Sequence, residues 1–331
     1  MNVINNKQNI PAASPPWHDL VIIGGGPAGL TAAIYGARDK LSVLIIEKAI
    51  IGGLITETDR IDNYPGFPDG ISGFELTDKM FKQAQKYGTE DTIAEVLSID
   101  QVNSGFIVRT TENSFPARAV IVAGGSSHLR LNIPGEKEYT GRGVSYCATC
   151  DAPFYNDKNV AVVGGGNAAI YEAIHLAKFA RKVYLIHRRS EYRATPIVQD
   201  IVGGNPKIEP ILDTIIEAVG GNDFVEKIRL LHKQTNESSE LVVDGLFVAV
   251  GQKPNTAYLH ELLELDTHSA IVVNDCMATS VPGIFAAGDV RRHSIRQAIA
   301  AASDGAIAAL EAKKWLEGTH TDSFQSHPHQ V

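Results

Sequence analysis

Two cysteines separated by two residues form the most reactive pattern in this chain. Cys147 and Cys150 enclose Ala148 and Thr149, and Asp151 follows directly. A pair with this spacing can cycle between dithiol and disulfide, because the short loop keeps the sulfurs close and the surroundings lower the pKa of one thiol. A carboxylate beside the thiols is suited to exchange a proton with a leaving sulfur, although a solvated loop acid is the alternative. The pattern predicts a redox-active dithiol with Asp151 as its acid-base group.

A zinc site is the competing interpretation of the cysteines. A structural zinc ion needs four ligands, and the sequence has no second Cys-x-x-Cys and no paired histidine motif to complete the set. The third cysteine, Cys276, stands alone and is interpreted as a small packing residue. We therefore expect no metal site.

A glycine-rich turn near the amino terminus predicts a dinucleotide site. Residues 20–23 are apolar, and Gly24, Gly26 and Gly29 follow with the spacing GxGxxG before an alanine-rich stretch. Such glycines allow a tight turn, close approach of a pyrophosphate and packing of the helix on the strand, with the helix N-terminal amides facing the phosphates. The next apolar run ends in Glu47, placed to accept hydrogen bonds from ribose hydroxyls. A tight turn that binds no ligand is the alternative.

The same arrangement recurs 140 positions further on, from position 24 to position 164. The apolar run 160–163 leads into a turn in which Gly164, Gly166 and Ala169 take the three fingerprint places, with Asn167 between them. A helix-like stretch and another apolar run, 182–186, follow. This repeat predicts a second dinucleotide site.

The second site carries positive charge where the first carries an acid. The register places His187 at the position of Glu47, and Arg188, Arg189 and Arg193 follow it. A carboxylate would repel a 2′-phosphate, whereas guanidinium groups match phosphate oxygens. The second site is therefore predicted to prefer NADPH; the alternative is a solvated basic face at the start of a helix.

Composition is typical of a globular enzyme. The chain of 331 residues is 44% hydrophobic and 21% charged, which is ordinary and sufficient for two domains. Its net charge of −8 argues against nucleic acid or an anionic membrane as the main partner. No apolar run reaches membrane-spanning length. Three cysteines make no extracellular disulfide framework, and the polar, proline-rich start lacks the pattern of a signal peptide, so a cytoplasmic location is expected.

These patterns together resemble the low-molecular-weight, bacterial-type NADPH-thioredoxin reductases, a group of FAD-dependent pyridine nucleotide-disulfide oxidoreductases. The similarity extends over nearly the whole chain, from about His18 to Leu316. The segments that carry it are 143–151 (GVSYCATCD), 164–169 (GGGNAA), 187–193 (HRRSEYR) and Gly288-Asp289.

The resemblance implies an α/β protein with two dinucleotide-binding, three-layer (Rossmann-like) domains. The FAD domain is expected to be discontinuous, comprising 17–125 and 255–331, with the NADPH domain, 126–254, inserted into it. Residues 1–16 are interpreted as a flexible tail. The crossings near 124–127 and 251–255 are rich in turn-forming residues and are expected to form a two-stranded hinge, the alternative being ordinary rigid loops.

The resemblance also assigns cofactor neighbours. The first glycine turn would hold FAD with Glu47 on the adenosine ribose, and Asn63 would lie near the flavin. The second turn would hold NADPH. Gly288 and Asp289 would contact the ribityl and phosphate arm. The segment expected beside the isoalloxazine ring is Arg296, Gln297 and Ala298.

The implied reaction is a thioredoxin-disulfide reductase that passes electrons from NADPH through FAD to the Cys147–Cys150 disulfide. Cys150 would face the flavin, Cys147 would exchange with thioredoxin, and Asp151 would act as the acid-base. A homodimer is the family precedent, and a rotation of the inserted domain is expected because the dithiol and the nicotinamide site both need the flavin.

The sequence departs from the family pattern at several places. Leu54 follows Gly52-Gly53 where a glutamine is usual, and Ala123 is followed by Gly124 rather than threonine. The carboxyl-terminal tail 317–331 is long; a disordered end is expected, with a lid over the flavin formed by Phe324 or a histidine as the alternative. The tail histidines are His320, His327 and His329.

Three other functions are open at this point. A related flavoenzyme can take its electrons from ferredoxin or flavodoxin, or it can pass electrons from a dithiol to oxygen. The third is an FAD-binding redox sensor without catalysis. Intact arginines at 188, 189 and 193 disfavour the first two, and the complete Cys-x-x-Cys-Asp pattern disfavours the sensor.

Overall fold

The computed structural model of this chain describes residues 16–58, 60–259 and 261–318. The chain divides into two compact units whose changeovers fall after Gly53, Asp78, Gly125 and Pro254. The first unit contains 1–53, 79–125 and 255–331, and the second contains 54–78 and 126–254. Segment 54–78 therefore groups with the second unit, whereas the sequence placed it in the FAD domain.

The chain up to position 125 alternates strands with helices. The longest of these elements are buried apolar runs on the strands, as parallel central strands require. The strands are β1 (His18–Ile23), β2 (Val43–Glu47), β3 (Glu90–Ile93), β4 (Val96–Val102), β5 (Gly105–Thr110) and β6 (Ser114–Val122); the helices are α1 (Pro27–Arg38) and α2 (Gly73–Gln85).

The following segment belongs to the second unit. Its helices are α3 (Ala148–Asp151), α4 (Asn167–Leu176) and α5 (Pro196–Gly203). Its strands are β7 (Ser126–His128), β8 (Val144–Ser145), β9 (Asn159–Val163), β10 (Lys182–Ile186), β11 (Ile208–Ile211), β12 (Thr214–Gly221), β13 (Val225–His232), β14 (Ser238–Val242), β15 (Gly245–Val248) and β16 (Gln252–Pro254). The chain then returns to the first unit with β17 (Ile284–Ala286) and α6 (Ala298–Leu316).

Each unit contains a five-strand parallel arrangement of the same order. In the first unit it is β3-β2-β1-β6-β17, and β5 and β4 continue antiparallel from the first residues of β6. In the second unit it is β11-β10-β9-β15-β8. Strands β12, β13 and β14 form a separate antiparallel sheet there. The α/β prediction is confirmed.

Most sequence-based element assignments agree with the structure, and two differ. The stretch 241–248 was expected to be antiparallel throughout, but Gly245–Val248 is the central parallel strand β15. Its apolar residues are buried on both faces, so no alternation marks it. The helix of the second turn begins at Asn167 and ends at Leu176, rather than spanning 170–179.

The two chain crossings pair with each other. β7 and β16 form a two-stranded antiparallel ribbon in which His128 lies opposite Gln252 and Ser126 opposite Pro254. The ribbon lies directly beside the changeovers at Gly125 and Pro254. The two-stranded geometry expected of the crossings is thus present.

Candidate active site

The first glycine turn combines glycines that the fold requires with one that leaves open space. Gly24 has φ +106° and an added Cβ would collide with the Ala123 carbonyl; at Gly29 it would collide with the Gly24 carbonyl. At Gly26 the nearest atom is the Gly52 carbonyl oxygen, 3.8 Å away. Packing therefore explains Gly24 and Gly29, whereas Gly26 borders a space that a side chain would partly fill.

Glu47 ends β2 with its carboxylate fixed against this turn. The Gly25 amide donates to Glu47 Oε2 at 2.7 Å, and the Ala49 amide donates to Oε1 at 3.1 Å. Each carboxylate oxygen has a second lone pair, so the group can still accept hydrogen bonds from a ligand. The acid predicted at the end of the second strand thus lies beside the glycine turn.

The second turn repeats this geometry in its own unit. The Gly164 amide donates to the Ile186 carbonyl at 3.1 Å, as the Gly24 amide does to that of Ile46 at 2.8 Å. No atom lies within 4 Å of a Cβ added at Gly166. Ala169 is fully buried in the position of Gly29, where its methyl group packs on the Gly164 backbone.

Asn167 begins α4 and fastens the turn to a later loop. Its side-chain oxygen accepts a hydrogen bond from the Thr195 amide at 2.9 Å. The Arg193 amide donates to the Gly165 carbonyl at 2.7 Å. The loop that bears the arginines is therefore held against the glycine turn by two hydrogen bonds.

His187 is buried beneath this turn, and the arginines are exposed. The His187 ring occupies the space where Gly165 would carry a side chain, and it lies 5.4 Å from the Tyr192 ring. Burial and the charges of the nearby arginines lower the pKa of His187, so the imidazole is neutral at physiological pH. Among the described residues no ion pair involves the three arginines Arg188, Arg189 and Arg193.

The structure joins Cys147 and Cys150 in a disulfide with Cα atoms 5.3 Å apart. Cys147 directly follows the residue after β8 and caps α3, where its Sγ accepts a hydrogen bond from the Cys150 amide at 3.2 Å. Both cysteines are partly exposed. An amide aimed at the sulfur favours the thiolate once the disulfide opens, which is the form that attacks another disulfide.

Asp151 is the last residue of α3 and is partly buried. Its negative charge, together with burial and that of Asp244, raises the pKa of Tyr155 to about 12, so the carboxylate lies in the same local environment as this ring. The Cys-x-x-Cys-Asp pattern is therefore confined to one helical turn. α3 packs against α4, the helix of the second glycine turn.

In the first unit, the segment after β17 is fixed by a buried ion pair that the sequence analysis did not single out. Asp304 on α6 accepts hydrogen bonds from Arg291 Nε at 2.6 Å and Nη2 at 2.9 Å, and from the Gly288 amide at 3.1 Å. Gly288 has φ +78° and a Cβ there would lie 3.0 Å from that of Ala28. A single acid within the alanine-rich stretch of α6 was the available signal.

The remaining predicted flavin neighbours of this unit follow in sequence. Burial raises the pKa of Asp289, whose carboxylate accepts a hydrogen bond from Ser294 Oγ at 2.8 Å. The same hydroxyl accepts one from the Arg296 amide at 3.2 Å, and Arg296 adopts φ +56°. Gln297 then caps α6, which begins at Ala298. Gly288, Asp289 and the three residues from Arg296 to Ala298 thus belong to one connected segment.

Other predicted positions lie apart from these clusters or outside the described residues. Asn63 is exposed within segment 54–78, and Cys276 is a partly buried free thiol. Within the described residues no group of histidine, cysteine and acidic side chains could hold a metal ion, and no helix is long and apolar enough to cross a membrane. Most of the amino-terminal tail and the segment with His320, Phe324, His327 and His329 lie outside the described residues.

Comparison with known proteins places the chain in a family. The model of the pyridine nucleotide-disulphide oxidoreductases matches residues 18–305. The chain belongs to the pyridine nucleotide-disulphide oxidoreductase family. It is 42% identical over 306 residues to the thioredoxin reductase of Peptoclostridium litorale, covering 91% of this chain and 97% of that protein.

Two further members show the same similarity. The bifunctional thioredoxin reductase/thioredoxin of Mycobacterium leprae (strain TN) is 42% identical over 308 residues, covering 92% of this chain and 67% of that protein. The crystal structure of thioredoxin reductase from Streptococcus pyogenes matches with a TM-score of 0.89 at 42% identity, covering 92% of this chain and all of that chain. The Rossmann-like architecture predicted from the sequence is confirmed.

FAD and NADPH are the cofactors of these oxidoreductases, and the prediction of both is confirmed. The residues present fit them. Gly26 and Gly166 border space that a side chain would enter, in agreement with the close approach of a pyrophosphate. Glu47 suits ribose hydroxyls in the first turn, and the exposed arginines suit a 2′-phosphate in the second.

Proposed function

We propose that this chain is an NADPH-dependent thioredoxin-disulfide reductase. The observation that carries the proposal is the position of the Cys147–Cys150 disulfide, at the carboxyl end of β8 in the parallel sheet that bears the second glycine turn. Ligands of open α/β sheets bind at the carboxyl ends of the strands. A redox-active disulfide and a nucleotide turn therefore share one edge of one sheet, and relatives named thioredoxin reductase support the partner.

The overall reaction takes two electrons from NADPH and a proton from solvent, and gives NADP⁺ and thioredoxin with two thiols. Bound FAD supplies two-electron transfer between NADPH and the disulfide. Gly24, Gly26, Gly29 and Glu47 would hold the adenosine and pyrophosphate of FAD, and the connected segment from Gly288 to Ala298 would hold its other arm. Asn63 is a further proposed flavin neighbour.

Recognition of NADPH would rest on the second turn. Gly164, Gly166, Asn167 and Ala169 admit the pyrophosphate to the N-terminus of α4. Buried, neutral His187 supports the turn from beneath without adding charge. The permanently charged side chains of Arg188, Arg189 and Arg193 are exposed to receive the 2′-phosphate.

The reduced cysteines would act in sequence on thioredoxin. The Cys147 thiolate attacks a disulfide sulfur of thioredoxin, the thioredoxin S–S bond breaks, and a mixed disulfide forms. Cys150 then attacks Cys147 Sγ, which restores the Cys147–Cys150 disulfide and releases the thioredoxin dithiol. Asp151, within one helical turn of both sulfurs, would take the proton from Cys150 and give it to the leaving thiolate.

The FAD domain in this proposal comprises 17–125 and 255–331, and the NADPH domain comprises 126–254. A homodimer and a cytoplasmic location complete it. Support for the location is that the cysteine pair works by reversible reduction, which a reducing compartment maintains.

The test is oxidation of NADPH, followed by absorbance under nitrogen, in the presence of oxidised thioredoxin. Wild-type protein with bound FAD should consume NADPH only when thioredoxin is added, and one thioredoxin dithiol should appear for each NADPH. Cys147→Ser should stop this reaction, whereas Cys276→Ser should leave it unchanged. Loss of thioredoxin dependence in wild type would refute the proposal, and consumption that requires oxygen would instead identify a dithiol oxidase.

A further inference from the structure

The residue before the reactive disulfide is an aromatic side chain fixed on several sides. Tyr146 lies between Ser145, the last residue of β8, and Cys147. Its hydroxyl donates to Glu136 Oε1 at 2.9 Å. Its ring stacks on His128 with centroids 4.6 Å apart and an angle of 21° between the planes, and the Arg130 guanidinium lies 6.0 Å from the ring centroid.

Glu136 is the fixed end of this arrangement. The residue is only 2% exposed, and its carboxylate also accepts hydrogen bonds from the Leu131 amide at 2.8 Å and the Asn132 amide at 2.7 Å. Burial and the contact with Glu136 raise the pKa of Tyr146 to about 12, so its hydroxyl stays protonated and remains a donor at physiological pH. A carboxylate with several charge-assisted hydrogen bonds is a rigid anchor.

His128 connects the tyrosine to the ribbon formed by β7 and β16. It is the last residue of β7, and its Nδ1 forms a hydrogen bond of 2.9 Å with Gln252 Nε2 on β16. The next residue, Leu129, donates its amide to the Gly251 carbonyl at 2.9 Å. Both chain crossings, after Gly125 and after Pro254, adjoin this ribbon.

We infer that Tyr146 is a positioning residue for Cys147, tying the reactive disulfide to the chain-crossing ribbon through the His128 stack and the Glu136 hydrogen bond. This inference rests on the proposed function. It deepens that function by naming residues that act through Cys147 without touching substrate or cofactor. Nothing in the Cys-x-x-Cys-Asp pattern itself requires an aromatic residue at this place.

The physical consequence concerns how readily the disulfide opens. Reduction breaks the Cys147–Cys150 bond, and two electrons and two protons convert it to two thiols. A backbone held by Tyr146 keeps the two thiols close after reduction and so favours re-formation of the disulfide. When the hold is lost, the reduced pair gains conformational freedom, and the equilibrium shifts toward the dithiol.

The experiment equilibrates the FAD-loaded protein anaerobically with mixtures of glutathione and glutathione disulfide. Two glutathione molecules are oxidised for each protein disulfide reduced, and alkylation followed by mass measurement counts the thiols at positions 147 and 150. The variants are Tyr146→Leu, Tyr146→Phe and His128→Leu. Tyr184→Leu is the matched control, since Tyr184 is also half-buried against the same apolar cluster but lies on β10.

We expect Tyr146→Leu to shift the equilibrium about tenfold toward the dithiol, which is ~30 mV for a two-electron couple. His128→Leu should shift it in the same direction, and Tyr146→Phe, which retains the stack, should shift it less. Tyr184→Leu should leave it unchanged even if it lowers the melting temperature.

Equal equilibrium constants for wild type, Tyr146→Leu and His128→Leu would overturn the inference. If Tyr146→Leu fails to fold, Tyr146→Phe and His128→Leu decide the question, and wild-type values in both refute it. The measurement contains neither NADPH nor thioredoxin. A failure of the proposed function would therefore appear in the turnover of wild type and not in this equilibrium.

Discussion

The two units use one strand order to opposite chemical ends. In each, the fourth and fifth parallel strands lie beside the strand of the glycine turn: β6 and β17 in the first unit, β15 and β8 in the second. Beyond β17 the chain forms the segment of Gly288 and Asp289, and then α6 packs on α1. Beyond β8 it forms the Cys147–Cys150 disulfide within a single turn, α3, that packs on α4.

The difference shows that the fifth strand determines the task of each unit. Where the helix after that strand is long, its buried Asp304 fixes a loop suited to a cofactor arm. Where the helix is one turn long, the same place presents a pair of sulfurs. The end of the second strand differs in the same way, because Glu47 suits ribose hydroxyls and the His187 segment suits a phosphate.

Loss of the sulfurs should have the largest effect. Cys147→Ser and Cys150→Ser should each reduce thioredoxin turnover by several orders of magnitude, because neither variant can form the disulfide that accepts the electrons. Both should retain FAD, since the cysteines lie in the unit without the first turn. Turnover assays and flavin absorbance check this, with Cys276→Ser as the control. Substantial turnover in either variant would exclude the dithiol route.

Removal of the buried ion pair should destabilise the first unit. Asp304→Asn leaves the Arg291 charge, whose side chain is 17% exposed, without its partner, and should cost about 3 kcal/mol of unfolding free energy and weaken FAD binding. Asp100→Asn is the control, because the Asp100–Arg109 pair is exposed and should contribute less than about 1 kcal/mol. Denaturant titration and FAD release measure both effects. Similar losses in the two variants would show that Asp304 has no special role.

Filling the open glycines should separate the two nucleotide sites. Gly26→Val should weaken FAD binding, and Gly166→Val should weaken NADPH binding while FAD remains bound, each by about 1–3 kcal/mol from overpacking against the ligand. Gly203→Ala, also in open space, is the control. Equilibrium dialysis and calorimetry give the affinities. If Gly166→Val released FAD instead, the assignment of the two turns would be wrong.

Removal of the arginines should change the choice of nucleotide. The double substitution Arg188→Ala with Arg189→Ala should weaken NADPH by about 1.5–3 kcal/mol, the range for hydrogen bonds to charged groups. NADH lacks the phosphate and should be affected little. Arg181→Ala, exposed just before β10, serves as the control. KM values for both nucleotides measure the difference, and equal losses would assign the arginines a structural role.

The chemistry-bearing residues could be predicted from the sequence better than their supports. The glycine turns and the exchange of Glu47 for His187 follow from local spacing, which persists in the fold. β8 could not be predicted, since Val144 and Ser145 become a strand only by pairing with β15. The contacts of Asp304 with Gly288 and of Tyr146 with Glu136 join residues brought together by the fold, and no local pattern marks them.

The most direct test of electron flow between the two nucleotide sites is anaerobic stopped-flow spectroscopy of the FAD-loaded protein. Mixing with NADPH should bleach the yellow flavin band rapidly, mixing with NADH should bleach it slowly, and oxidised thioredoxin added afterwards should restore the colour. A flavin band that NADPH leaves unchanged, in protein with FAD bound, would contradict the account and point to an electron donor other than a nicotinamide nucleotide.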